Sequence, residues 1–179
     1  MKTLIIFNHP YDGSFCHAIL SAALEGSAEG GHHCRVIDLD KDGASALELL
    51  DPLVLEYKKK LEWAEHLAFI FPVWWMTMPA MTKGFIDKVI FPGIAYNMKD
   101  GELACRLDSL EKVTIISTMN TPADVYKEKF GNAIESTLVK GTFNKIGIMD
   151  VDWFSFNKVK QTSLEQRQEW LELVKDIFC

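Results

Sequence analysis

The chain alternates between short, uninterrupted apolar blocks and longer stretches whose apolar residues recur at helical spacing. Leu4-Ile5-Ile6-Phe7, Cys34-Arg35-Val36-Ile37, Leu67-Ala68-Phe69-Ile70-Phe71 and Val113-Thr114-Ile115-Ile116-Ser117 have strand length, and residues 146–156 carry a fifth strand with an uneven aromatic end. Between the first two, Ser14 is placed to cap a helix that opens at Phe15. Its apolar face is Ile19, Leu20, Ala23 and Leu24, and Gly26 and the Gly30-Gly31 pair end it. Further helices are expected over 47–61, interrupted at Pro52, from near Pro79 with Phe85, Ile86, Val89 and Ile90 inward, and over 123–138 with a break near Gly131. The last is Leu164–Phe178, with Trp170, Leu171, Val174, Ile177 and Phe178 on one face. Residues 91–111 show no clear period and contain Pro92, Gly93 and Gly101, so a long surface excursion is expected there.

Five continuous apolar strands separated by helices predict a parallel sheet covered on both faces, because βαβ crossovers place helices there and run right-handed. The expected architecture is a doubly wound α/β domain with strand order 2-1-3-4-5, occupying residues 1–179 as one domain. In such sheets ligands bind outside the carboxyl ends of the strands, at the point where the strand order reverses. The loops after the first, third and fourth strands are therefore the ones to read for chemistry.

Composition narrows the function. With 179 residues, 48% hydrophobic and 25% charged, the chain has ordinary globular usage. Its 19 basic against 25 acidic residues leave a net charge of −6, which repels phosphate backbones and argues against nucleic acid. Cys16, Cys34, Cys105 and Cys179 are scattered, without C-x-x-C pairs or metal-ligand spacing, so free thiols in a reducing, cytoplasmic setting and no metal are expected. No apolar run approaches the ~20 residues of a membrane span.

The first loop, His9-Pro10-Tyr11-Asp12-Gly13-Ser14-Phe15-Cys16, runs into a helix N-terminus, where free N–H groups and the positive end of the helix dipole suit a phosphate. It is neither a G-x-G-x-x-G fingerprint nor a P-loop, and a plain strand-ending turn fits it equally. The second, Pro72-Val73-Trp74-Trp75-Met76-Thr77-Met78-Pro79, puts two tryptophans at a crevice mouth, where they suit a flat aromatic ligand. Alternatively, one of the two packs in the core beneath the next helix. The third, Ser117-Thr118-Met119-Asn120-Thr121-Pro122, offers short hydroxyl and amide groups to a ring edge or a ribityl chain, or else Asn120 or Thr121 caps the next helix.

His9-Pro10 with Ser14-Phe15, Phe71-Pro72 leading through Trp75 to Met78-Pro79-Ala80, Lys83-Gly84-Phe85-Ile86-Asp87-Lys88-Val89, and Gly93-Ile94-Ala95-Tyr96 occur in this order. Together they resemble the NAD(P)H:quinone oxidoreductase family of flavodoxin-like flavoproteins, including small bacterial members such as modulator-of-drug-activity quinone reductases and ancillary oxidoreductases of potassium efflux systems. The resemblance runs from residue 3 to about 126. It implies a flavin cofactor held by His9, Ser14, Phe15 and Cys16 around the phosphate and ribityl chain, where relatives usually have Asn at the position of Cys16. It places Pro72, Val73, Trp74, Trp75 and Met76 along the isoalloxazine, and Ser117, Thr118, Met119 and Asn120 where relatives carry a Thr-Thr-Gly-Gly type turn. Tyr126 falls near a family tyrosine beside the nicotinamide, as the catalytic candidate, and Tyr96 and Met98 in the segment gating substrate.

The implied reaction is hydride transfer from NAD(P)H to the flavin, then two-electron reduction of a quinone or similar acceptor in the same place, by a ping-pong mechanism. Azo, nitro or chromate compounds would use the same site. FMN is expected, with FAD as the alternative. A homodimer is expected through the surface near Phe91 to Met98, with Trp153-Phe154-Ser155-Phe156 serving either that interface or the core. A flavodoxin-type electron carrier and a flavin-binding regulatory subunit docking on a transporter are the competing readings.

Overall fold

The computed structural model describes residues 1–43 and 52–179. The order of elements is β1 (Lys2–Phe7), α1 (Phe15–Glu29), β2 (His33–Asp38), α2 (Pro52–Trp63), β3 (His66–Pro72), α3 (Ala80–Val89), β4 (Tyr96–Lys99), β5 (Glu102–Cys105), β6 (Lys112–Thr118), α4 (Ala123–Phe130), β7 (Val151–Phe156) and α5 (Leu164–Phe178). A π-helical segment, Glu135–Phe143, and a 3-10 turn, Asn144–Ile146, fill the connection from α4 to β7.

β2, β1, β3, β6 and β7 form one parallel sheet in that order, which is the flavodoxin-like 2-1-3-4-5 arrangement with the hairpin strands β4 and β5 inserted after the third unit. The alternation of side chains along each central strand builds two cores. Leu4, Ile6, Leu67, Phe69, Phe71, Val113 and Ile115 face α2, α3 and the π-helical segment. Ile5, Phe7, Ala68, Ile70 and Ile116 face α1 and α5. This double burial is why β3 reads as an unbroken apolar run: every residue from His66 to Pro72 is buried.

α1 runs on past Gly26 to Glu29 and ends at the C-cap Gly30, and Gly26 instead lets the α5 backbone pass close. A Cβ there would lie 2.3 Å from the Lys175 carbonyl oxygen. The described helix α2 opens at Pro52, whose fixed φ suits a first helical position; the expected helical stretch 47–51, and with it the expected interruption, lies outside the described residues. The helix expected over 123–138 is two segments. Gly131 and Asn132, both left-handed, end α4, and wider π-helical turns resume at Glu135. The excursion over 91–111 is an antiparallel hairpin, Tyr96 pairing with Cys105 and Lys99 with Glu102. The fifth parallel strand starts at Val151, because Gly147 in the left-handed region turns the chain before it. All four cysteines are free. Among the described residues no helix is long and apolar enough to cross a membrane.

Candidate functional site

At the carboxyl edge of the sheet, a cleft of about 320 Å³ is lined by His9, Phe15, Cys16, Pro72, Val73, Trp74, Thr118, Met119, Asn120, Val159 and Lys160. It straddles β1 and β3, between which the order of connection reverses, so parallel topology alone places an opening there. The three loops singled out by their sequence all reach it, and its size falls within the range of ordinary ligand pockets.

The wall from the first loop is shaped by capping. Ser14 is the N-cap of α1, its hydroxyl accepting from the His17 N–H at 3.3 Å, so Phe15 and Cys16 open the helix where backbone N–H groups lack intrahelical acceptors. No acidic residue lies in that first turn, leaving the positive end of the helix uncompensated from within it. His9 accepts the Tyr11 N–H on Nδ1 at 3.1 Å, which assigns the proton of the neutral ring to Nε2 and leaves it available as a donor. Burial, then the neighbouring His17, pushes the His9 pKa down against the opposing pull of Asp40. The adjoining Asn8 is buried; its side chain donates to Asp40 and accepts from the Thr82 hydroxyl, fixing the end of β1 to β2's loop and to α3.

Cys16 closes the cleft floor. Its Sγ lies 3.2 Å from Thr118 Oγ1, and burial pushes the thiol up to about 11, outweighing the hydroxyl contact, so it stays protonated at neutral pH. Val73 continues the sheet by donating to the Thr118 carbonyl, and Met119 donates to Phe156. Asn120 does not cap α4: Pro122 occupies the N-cap without a side-chain bond, and Asn120 Oδ1 accepts from the Lys160 N–H at 3.1 Å. That bond draws the segment after β7 over the cleft. It brings in Val159 and Lys160, which the sequence pattern did not single out because they lie outside the loops after the first, third and fourth strands. The signal was available, since Asn157-Lys158-Val159-Lys160 also follows a parallel strand and so lies at the same edge.

In the second loop, Trp74 and Thr77 exchange backbone hydrogen bonds of 2.9 and 3.1 Å across Trp75 and Met76, whose φ angles are 49° and 64°. This pair of left-handed residues normally falls to Asn-Gly, and each bulky residue held so costs about 1–2 kcal/mol. A net hydrogen bond contributes about 1 kcal/mol, so the turn needs its cross-turn pair and an outside hold together. The strain turns Trp75 outward, 96% exposed, while Trp74 is 44% exposed with its ring 6.1 Å from that of His9. Neither indole is therefore in the core beneath α3.

The structure separates several expected site residues from the cleft. Met76 and Trp75 form the rim turn without lining it, and Ser14 acts as the cap behind it. Ser117 is fully buried, its hydroxyl accepting from Trp153 Nε1 at 2.9 Å. Tyr126 is 1% exposed, and its hydroxyl is engaged by Met76 and Ile134, so its place is behind the loop and not at the opening. Tyr96 and Met98 lie on the hairpin, where Tyr96 shares a different cavity with Ile90 and Ile146. Because α3 runs from the carboxyl edge back to the amino edge, the hairpin that follows it starts at the opposite end of the sheet from this cleft. In the 153–156 tract, Phe156 stacks on Trp170 at 4.8 Å and Trp153 bonds to Ser117, so both serve internal packing.

The residues present suit a flavin: apolar Val73, Met119 and Trp74 for a ring, hydroxyl and amide groups of Thr118 and Asn120 for its polar edge, and His9, Lys160 and the α1 N-terminus for a phosphate. Such a set, on a sheet of this order, defines a doubly wound α/β protein with a ligand cleft at its reversal point. Residues 1–176 match the family described as flavodoxin-like fold, and the chain belongs to that family. It is similar to proteins named as NAD(P)H oxidoreductases and quinone reductases. An uncharacterized NAD(P)H oxidoreductase of Haemophilus influenzae is 29% identical, over 97% of this chain and 92% of its own. Among solved structures, Smu.1420 from Streptococcus mutans has a TM-score of 0.87 and 30% identity, covering 99% of this chain and 98% of that one. NAD(P)H:quinone oxidoreductase from Methanothermobacter marburgensis has a TM-score of 0.83 and 26% identity, over 98% of this chain and 94% of its own.

Proposed function

We propose that this chain is an FMN-dependent NAD(P)H oxidoreductase that passes two electrons to a quinone or similar acceptor. The observation that carries the reading is the cleft at the reversal point, lined jointly by His9, Trp74 and Thr118 from three separate loops. A flavin held there would supply the redox chemistry, hydride transfer from NAD(P)H and then two-electron reduction of the acceptor, so that NAD(P)H, one proton and a quinone would give NAD(P)⁺ and the hydroquinone.

The residues of the chain provide placement and electrostatics. His9 Nε2–H, the N–H groups opening α1 and the Lys160 ammonium hold the phosphate. Thr118 and Asn120 orient the polar edge of the ring, and Trp74 and Val73 exclude water from one face of it. Cys16 stands where relatives usually carry Asn; its protonated thiol packs against Thr118 and adds bulk without charge. One shared cleft would receive nucleotide and acceptor in turn, which is the basis of a ping-pong sequence. Two copies associate through the hairpin surface that includes Phe91 and Met98, 36% and 65% exposed.

Reconstitution with FMN followed by anaerobic stopped-flow mixing with NADH or NADPH tests the reading. Loss of the oxidised flavin absorbance, restored by a quinone, is expected; a protein that takes up neither FMN nor FAD would overturn it.

A further inference from the structure

We propose that Tyr126 is a positioning residue: its hydroxyl holds the Met76 carbonyl and so keeps the left-handed Trp75-Met76 turn in the shape that forms the rim of the cleft. The purpose of the turn rests on the flavin reading above, but the hold itself does not.

Chemistry fixes the direction of the bonds. The Ile134 N–H can only donate and reaches the phenol oxygen at 3.2 Å, while the Met76 carbonyl can only accept and lies at 2.8 Å. The single phenol proton must therefore point at Met76. Burial pushes the Tyr126 pKa up, keeping that proton in place. The phenol is itself held from three sides. The Tyr126 carbonyl accepts from Gly131 and Asn132, whose left-handed turn folds Ile134 back onto the hydroxyl. Its ring packs against Trp153 at 6.1 Å, and Trp153 is tied to Ser117 at the end of β6. The hold thus runs from the sheet through Trp153 and Tyr126 to a turn that two bulky residues would otherwise leave.

Tyr126→Phe removes the hydroxyl and keeps the ring. Amide hydrogen exchange of Trp74 and Thr77, whose N–H groups close the turn, is measured by NMR in the full chain without flavin. Tyr126→Phe is expected to lower their protection about tenfold, with Ile5 and Phe69 in the sheet unchanged. In a Met76→Gly background the left-handed conformation carries no Cβ penalty, so the same substitution should then change protection less than about threefold. Equal protection of Thr77 in wild type and Tyr126→Phe, a loss spread evenly into the sheet, or an undiminished effect beside Met76→Gly would each overturn the proposal. If exchange behaves as expected while neither protein binds FMN, the hold stands and the flavin reading falls.

Discussion

Cys16 Sγ lies 3.2 Å from Thr118 Oγ1, linking the first turn of α1 to the end of β6 across the cleft floor. The two residues are 102 positions apart in the chain, and their contact ties the start of α1 to the loop that follows β6. Burial, not the helix N-terminus, decides the state of this thiol, since it is pushed up to about 11 where a helix dipole alone would lower it.

That balance makes Cys16 inert. Under iodoacetamide at pH 8, peptide mass spectrometry should show the exposed Cys179 alkylated first and Cys16 last, by at least about a hundredfold in rate. Alkylation of Cys16 at a rate comparable to Cys179 would contradict its burial and protonation.

Two helical glycines should respond oppositely to the same change. Gly84→Ala meets nothing within 4 Å and should stabilise by about 0.5–1 kcal/mol through helix propensity. Gly26→Ala gains the same propensity but drives a methyl onto the Lys175 carbonyl, forcing α1 and α5 apart at a cost of about 1–3 kcal/mol. Thermal unfolding should show Tm rising for Gly84→Ala and falling for Gly26→Ala.

His66 makes stability depend on acidity. It is buried between the hydroxyls of Thr3, 3.4 Å away, and Thr114, 2.9 Å away, and burial pushes its pKa down to about 3. The unfolded chain, with the ordinary value of 6.5, binds the proton first, so this contribution is complete above pH 6.5 and is lost as pH falls toward 3. By pH 5 the loss is about 2 kcal/mol. Urea midpoints measured from pH 7 to pH 5 should fall in the wild type and flatten in His66→Gln.

Lys160 contributes charge to the proposed phosphate site from an exposed position, so its effect should be modest and screened by salt. Fluorescence titration should show Lys160→Ala weakening FMN about fivefold at low ionic strength and riboflavin, which lacks the phosphate, not at all. Equal weakening of both would move Lys160 away from the phosphate.

The sheet is legible because a parallel strand buried on both faces reads as a nearly continuous apolar run, as β1, β3 and β6 do over most of their length. Cap chemistry at Ser14 was equally local, since a hydroxyl three residues before the His17 N–H needs no distant partner. The π-helical turns at 135–143 are not legible in the sequence, because the spacing of the buried Leu138, Val139 and Phe143 suits an α-helical reading of the same residues as well.

The sequence by itself determined which loops lie at the carboxyl edge, since strand direction and connection handedness follow from local pattern and backbone chirality. Tertiary structure decided which side chains in those loops reach the cleft. Ser117 and Tyr126 turned inward to partners at Trp153 and Met76, and Lys160 was drawn over the opening by Asn120. Hydrogen-bond partners 36, 50 and 40 residues away made those choices, and such distances leave no trace in the spacing of neighbouring residues.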